Sequence, residues 1–270
     1  MTQWQGCLSL MPGTNGKGSI AVHVNRGVSF LLNCIYPPRC RFCKVSTAGE
    51  DEDCFCAGCR REIQLISHPL CATCGRPFLD AAGADHECGA CLTRPPLFSQ
   101  ARAWACYPRE GDEKHPLRQV LQQFKYGRKV SLGKPLGALM ARAGRDDFRA
   151  ISLDTVVPVP LHRRRLRWRG FNQSVILGRE VARLWGVVMD PFILLRTKET
   201  APQTELPEDE RRRNVRAAFA VNPMKQIAGK SFLLVDDVYT SGATVNECSR
   251  TLLRAGAKKV YVLTLARTEG

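Results

Sequence analysis

Ser231-Phe-Leu-Leu-Val-Asp-Asp-Val-Tyr-Thr-Ser-Gly-Ala-Thr244 decides the fold. Phe232 to Val235 are apolar without alternation, the pattern of a strand buried on both faces of a parallel sheet. From Thr244 the period becomes helical, with Val245, Cys248, Leu252 and Ala255 on one stripe and Gly256 placed to stop it. A strand feeding a helix through a small-residue turn makes an anion site. Thr240, Ser241, Gly242, Ala243 and Thr244 can wrap a phosphate, and the N–H groups of the helix start favour negative charge there. Asp236 and Asp237, at the strand's carboxyl end, can hold vicinal hydroxyls or a hydrated Mg2+. Two adjacent acids between a buried strand and a Gly turn are costly without a ligand.

Upstream, Leu153 to Pro160 reads as a second strand running into His162-Arg-Arg-Arg-Leu-Arg-Trp-Arg169, where six of eight residues are His or Arg. The next helix has the stripe Phe171, Val175, Gly178, Ala182 and Trp185. The basic run therefore sits at the sheet edge that carries Asp236, the edge where open α/β sheets bind ligands. Ala101 to Tyr107 alternates enough to be a strand. Leu117, Val120, Leu121 and Phe124 form one helical stripe; Leu132, Leu136, Leu139 and Ala143 form another. Between them Phe124-Lys-Tyr-Gly-Arg-Lys129 is a basic turn with an aromatic, equally compatible with the ligand cleft and with a solvated connection. Lys198 to Arg213 has two prolines and many charges and reads as a mobile loop. Phe219 to Val221 is expected to resume the sheet, and Lys259 to Ala266 to supply its last strand.

Thirteen cysteines set the second theme, since eight fall in four C-x-x-C pairs. Cys40 and Cys43 pair with Cys56 and Cys59; Cys71 and Cys74 pair with Cys88 and Cys91. Two such knuckles complete a closed four-thiolate site, and the tandem repeat predicts two zinc ribbons holding two structural Zn2+. A segment this size has few large apolar residues, so metal supplies most of its folding free energy. Cys54 lacks the knuckle spacing, and His68 and His86 read as exposed linker residues.

Net charge is +15, with +1 in residues 1–100 and +14 in the remainder. Each four-thiolate zinc site lowers the amino-terminal part by two more, leaving it near −3. A basic body attracts polyanions, either nucleic acid or a pyrophosphate-bearing small molecule. No apolar run of about 18 residues occurs and no secretory signal is recognisable, so no membrane insertion is expected and the cytoplasm is the expected compartment. Domains are expected at 28–95 for the zinc ribbons and 96–270 for the parallel-sheet body. Residues 1–27 read as a disordered leader; Gly13 to Ser19 resembles a phosphate loop but lacks the strand before it. Val28 to Tyr36 reads as a short packing helix.

The segment Ser231 to Thr244, with four apolar residues, two acids and a Thr-Ser-Gly-Ala-Thr turn, resembles the phosphoribosyl-pyrophosphate (PRPP) motif of type I phosphoribosyltransferases. With Val157-Pro-Val-Pro-Leu-His-Arg-Arg-Arg-Leu-Arg-x-Arg-Gly-Phe-Asn-Gln173, Gln203-Thr204, Arg211 to Arg216 and the zinc module, the chain resembles the ComF family across about residues 34–268. This resemblance implies a type I phosphoribosyltransferase-like sheet flanked by helices after a double zinc ribbon. It implies that Asp236 and Asp237 bind the ribose hydroxyls of PRPP with Mg2+, and that Thr240, Ser241, Gly242, Ala243 and Thr244 hold the 5-phosphate. Pro158, Val159, Pro160, Leu161, His162 and Arg163 would form the pyrophosphate loop. Gln203, Thr204, Arg211, Arg212, Arg213, Asn214 and Arg216 would form the flexible loop that closes the site. The implied role is DNA uptake or use of external DNA, with single-stranded DNA on Arg163, Arg164, Arg165, Arg167 and Arg169 and DNA-uptake machinery as partners. An active PRPP-dependent pentosyltransferase and a non-catalytic zinc scaffold are the alternatives. Thr240 stands where several purine-salvage relatives have a carboxylate base.

Overall fold

The computed structural model describes residues 38–47, 54–78, 83–109, 111–200 and 208–268. The expected leader, Val28 to Tyr36 and the Gly13 to Ser19 loop lie outside them. The apolar run forms β5 (Ser231–Tyr239), and Phe232 to Val235 are fully buried. It runs parallel to β6 (Lys259–Thr268) on one side and β2 (Thr155–Pro158) on the other. With β1 (Gln100–Tyr107) beyond β6, the sheet order is β1-β6-β5-β2, all parallel.

Both faces are covered, which is why β5 does not alternate. Leu233 and Val235 pack with Leu136 and Met140 of α4 (Gly133–Phe148) and Leu177 and Val181 of α6 (Gln173–Trp185). Phe232 and Leu234 pack with Val245, Cys248 and Leu252 of α8 (Ala243–Arg254). The Leu117, Val120, Leu121 and Phe124 stripe lies buried on α3 (Pro116–Lys125). Ala143 is exposed, however; the buried stripe of α4 continues through Met140, Gly144 and Phe148. Gly137 lets α4 approach α6, since a Cβ there would sit 2.7 Å from the Glu180 Cβ.

Two expectations change. Phe219 to Val221 forms β4 (Phe219–Val221), but it pairs antiparallel with β3 (Leu194–Arg196) in a separate two-stranded ribbon. The main sheet has no room for it beside β2, because Val156 already bonds Val188 and Asp190 along that edge, at 2.8 and 3.0 Å. The charged segment after Lys198 is partly helical: α7 spans Glu208–Val215. Acids open that helix and arginines follow, the charge order that a helix dipole favours. Val215 anchors it in the core.

The zinc module includes two short helices, α1 (Ala57–Arg61) and α2 (Gly89–Thr93), and lies along the outer edge of β1. Ile66 N donates to Trp104 O (3.1 Å), Cys106 N to Gln64 O (2.8 Å) and Ala101 N to Thr73 O (2.7 Å). An edge that would be open to pairing with another chain is thereby occupied. This also explains why Ala101 to Cys106 are all buried rather than alternating. Arg102, 7% exposed, clamps the contact by donating to Asp147 Oδ1 (2.5 Å) and Ala72 O (3.1 Å). Gly75 has a φ of +70°, and a Cβ there would run into the Ala101 carbonyl. Gly75→Ala is therefore expected to cost about 2 kcal/mol or more. A thermal melt should show a clearly lower Tm than wild type. Among the described residues, no helix is long and apolar enough to cross a membrane.

Candidate functional site

Where β5 ends, the chain places its acids in a cleft of about 110 Å³. Asp236 Oδ1 accepts from Ser174 Oγ and from the Asp237 N–H, both at 2.9 Å. Ser174 is held by the start of α6, where Asn172 caps the helix by accepting from Ser174 N (3.0 Å). The same Asn172 donates through Nδ2 to Val159 O (3.0 Å), tying the loop after β2 to the acid pair. Burial and then the Asp237 charge push the Asp236 carboxyl up to about 7.

Asp237 is 5% exposed, and its Oδ1 lies 3.0 Å from Lys125 Nζ. Burial opposes the Lys125 charge, but Asp237 outweighs it and holds the ammonium above its ordinary value. The other oxygen, Asp237 Oδ2, is buried without a hydrogen-bond partner. A buried carboxylate oxygen left unpaired is costly, and a divalent cation or a ribose hydroxyl would satisfy it.

Facing the acids is a basic wall of Arg165, Arg169 and Arg196. The arginine run folds as α5 (Arg163–Arg169), so residues three or four apart share a face and neighbours in sequence do not. Arg165 and Arg169 line the cleft, while Arg163, Arg164 and Arg167 are exposed. Arg169 Nη1 donates to Gln173 Oε1 (2.6 Å), and Arg196 donates to Thr200 Oγ1. Each guanidinium keeps a buried Nε without a partner. Burial and then the Arg165 charge pull the Arg196 pKa below its ordinary value. These are conditions that an anion would relieve.

The turn closes the cleft. Gly242 sits at φ +71°, and a Cβ there would strike the Tyr239 ring, so the bend before α8 requires glycine. Thr240, Gly242 and Thr244 line the cleft. Ser241 and Ala243 instead line a second cavity, of about 400 Å³, between the turn and the second cysteine cluster.

Of the residues expected after β2, Val159 and Leu161 line the cleft. Pro158 ends β2, Pro160 and His162 are half-buried, and Arg163 opens α5 on the exposed side. Gln203 and Thr204 lie outside the described residues. Arg211, Arg212, Arg213 and Asn214 belong to α7, which Arg216 follows. Arg213 and Arg216 are exposed, and α7 packs on α8 beyond the cleft, with Ala217 N donating to Glu247 Oε1 (2.9 Å). Sequence reasoning did not single out Lys125, Ser174, Gln173 or Arg196. Lys125 had a signal, in the basic turn with its aromatic. Arg196 had none.

The eight expected cysteines form two groups of four, Cys40, Cys43, Cys56 and Cys59, and Cys71, Cys74, Cys88 and Cys91, with all four sulfurs of each within 4.8 Å of one another. The Cys71–Cys91 and Cys74–Cys88 sulfurs lie 3.8 Å apart. Four thiolates around one Zn2+ need roughly that spacing. Backbone N–H groups of Cys74 and Cys88 point at Cys71 Sγ from 3.4 and 3.3 Å, as a thiolate ligand requires. Cys54, buried in the main core, stands outside the first group, and His68 and His86 are exposed. The donor sets fit two structural zinc ions.

The double zinc ribbon domain family matches residues 31–92, and the phosphoribosyl transferase domain family matches residues 172–269. The second match spans α6 to β6, the elements that carry the acid pair and the turn. DNA utilization protein YhgH of Salmonella typhimurium is 34% identical over 86% of this chain and 98% of its own length. Competence protein F of Haemophilus influenzae is 32% identical over 78% of this chain and 90% of its own. Among solved structures, glutamine phosphoribosylpyrophosphate amidotransferase from B. subtilis is 23% identical, covering 49% of this chain and 26% of its own, with a TM-score of 0.34.

Proposed function

The chain belongs to the ComF family of competence and DNA utilization proteins, and from that premise we propose that it binds PRPP or a related phosphoribosyl ligand with Mg2+ in the use of external DNA. The observation that carries the proposal is an acid pair, with Asp237 Oδ2 buried and unpartnered, lining the same small cleft as the guanidinium groups of Arg165, Arg169 and Arg196. An acid pair opposite a basic wall matches a ligand with hydroxyls and a cation at one end and a pyrophosphate at the other.

Each group then has a task. Asp236 and Asp237 hold the ribose hydroxyls and the hydrated cation, and Ser174 keeps Asp236 in place. The turn from Thr240 to Thr244 takes the 5-phosphate on its backbone N–H groups. Arg165 and Arg169, rather than Arg163, neutralise the pyrophosphate, beside the loop of Val159 and Leu161. Lys125 balances the Asp237 charge before the ligand arrives. Mg2+ would add charge neutralisation of the phosphates. Transfer to an acceptor would further need a proton-accepting group, which a threonine hydroxyl at position 240 does not supply near neutral pH.

Calorimetric titration of the zinc-loaded protein with Mg2+ and PRPP tests this reading. Binding is expected in wild type and is expected to weaken at least about tenfold in Asp237→Asn, which removes a charge-assisted contact. Equal binding by the variant, or no binding by wild type, overturns it.

A further inference from the structure

Two large aromatic side chains stand open at the mouth of the cleft. Trp168 is 60% and Tyr126 56% exposed, and their rings touch, with centroids 6.2 Å apart at an angle of 60°. An exposed indole beside an exposed phenol marks a surface that meets a partner. Tyr126 also lines the cleft with Asp236 and Asp237, so the pair begins where the phosphoribosyl site ends.

Cations surround the pair. Trp168 follows Arg164 by one turn of α5, and Arg163 and Arg167 form the adjacent exposed row. Arg128 Nη2 donates to the Trp168 carbonyl at 3.0 Å, and the Arg169 guanidinium lies 5.2 Å from the Tyr126 ring centre. Among the described residues, the acid that pairs with this row is Glu199, 3.3 Å from Arg164, and both partners are exposed. A protein partner that buried the aromatics would have to bring carboxylates for these arginines. Flat π faces joined to regularly spaced phosphates meet both demands in one chain.

We propose that Tyr126 and Trp168 stack a base of a single-stranded nucleic acid whose phosphates run along Arg163, Arg164 and Arg167. A free base or mononucleotide has the same π face but makes no use of three arginines turned away from the cleft. The proposal rests on the role in DNA use given above, and not on the identity of the ligand held by Asp236 and Asp237.

Fluorescence anisotropy on the full zinc-loaded chain tests it, with a labelled oligothymidylate of about 12 nucleotides and an abasic strand of equal length, sized to a typical single-strand site. Wild type should bind the base-bearing strand about tenfold more tightly than the abasic one. Trp168→Ala and Tyr126→Ala should lose most of that difference while their abasic affinity stays unchanged, and Trp168→Phe should keep it. Replacing Arg163, Arg164 and Arg167 by Gln should weaken both strands and flatten the salt dependence by roughly two units of slope. Equal affinity of wild type for the two strands overturns the proposal, as does a Trp168→Ala protein with wild-type discrimination. Trp168-dependent binding of free adenine or thymidine monophosphate without strand binding also overturns it, assigning the platform to an acceptor. The Mg2+ and PRPP titration on the same preparation is a separate readout, so failure of either reading is visible without the other.

Discussion

Cys74→Ser is expected to release one zinc ion per chain, unfold the second ribbon and lower the Tm by more than any other single change considered. The ligand set of that ribbon, Cys71, Cys74, Cys88 and Cys91, is buried, yet among the described residues Phe78 is the one further hydrophobic side chain of its cluster. Its order therefore comes from metal, and apparent zinc-binding free energies of about 10–16 kcal/mol exceed or match the whole stability of a typical domain. The damage does not stop at the ribbon. Arg267, 4% exposed, donates to the Cys74 carbonyl, and Arg102 donates to the Ala72 carbonyl. Without the ribbon both guanidinium groups lose acceptors in a buried setting, and the outer edge of β1 loses the bond from Ala101 N to Thr73 O. Arg267 also lies 4.9 Å from the Tyr239 ring centre, next to the turn proposed to take the 5-phosphate, so PRPP affinity should fall with it. Metal analysis should find one zinc where wild type has two, and the melt should broaden and shift down. A variant that keeps two zinc ions, or melts with wild type, contradicts this account of the interface.

What could be seen in the chain before its structure divides along physical lines. β5 was legible because a strand covered on both faces must be apolar at every position, and no helix of that length looks the same when followed by two acids and a Gly turn. The zinc ligands were legible because tetrahedral thiolate geometry imposes its spacing on the chain. The arginine run was only half legible. Five arginines in seven residues carry no apolar period, so nothing in them told helix from loop. Once α5 forms, the four-residue repeat selects Arg165 and Arg169 for the cleft and turns Arg163 outward. Lys125 and Arg196 reach the acids or the basic wall from other segments, α3 and β3, and such long-range meetings leave no local pattern. The β3–β4 ribbon was missed for a related reason: whether three residues join a sheet depends on which edge is vacant, and Val188 to Asp190 had taken it.

The same cleft that should bind the ligand should also cost the protein stability, and Asp236→Asn is expected to expose that cost. In the native state the Asp236 carboxyl is raised to about 7, whereas an unfolded aspartate titrates near 3.9. Between those values the native chain holds a proton that the unfolded chain has lost, so stability falls as pH rises through the window and the full penalty stands above about pH 7. A shift of roughly three units is worth about 4 kcal/mol, and partial contact of the carboxylate with cleft water reduces this to about 1–3 kcal/mol. Asparagine removes the charge while its carbonyl oxygen still accepts from Ser174 Oγ and Asp237 N. At pH 8 the variant should therefore melt a few degrees above wild type, and the two should converge toward pH 4. Ligand affinity should move the other way. Cation binding requires the deprotonated pair, so wild type should lose Mg2+-dependent PRPP affinity as pH falls below about 7. Asp236→Asn should bind weakly at every pH. Melts of both proteins from pH 4 to pH 8, beside titrations with Mg2+ and PRPP, read the two effects separately. A variant less stable than wild type at pH 8 would mean that the Asp236 charge supports the fold, and the cleft would then not be held under strain for a ligand.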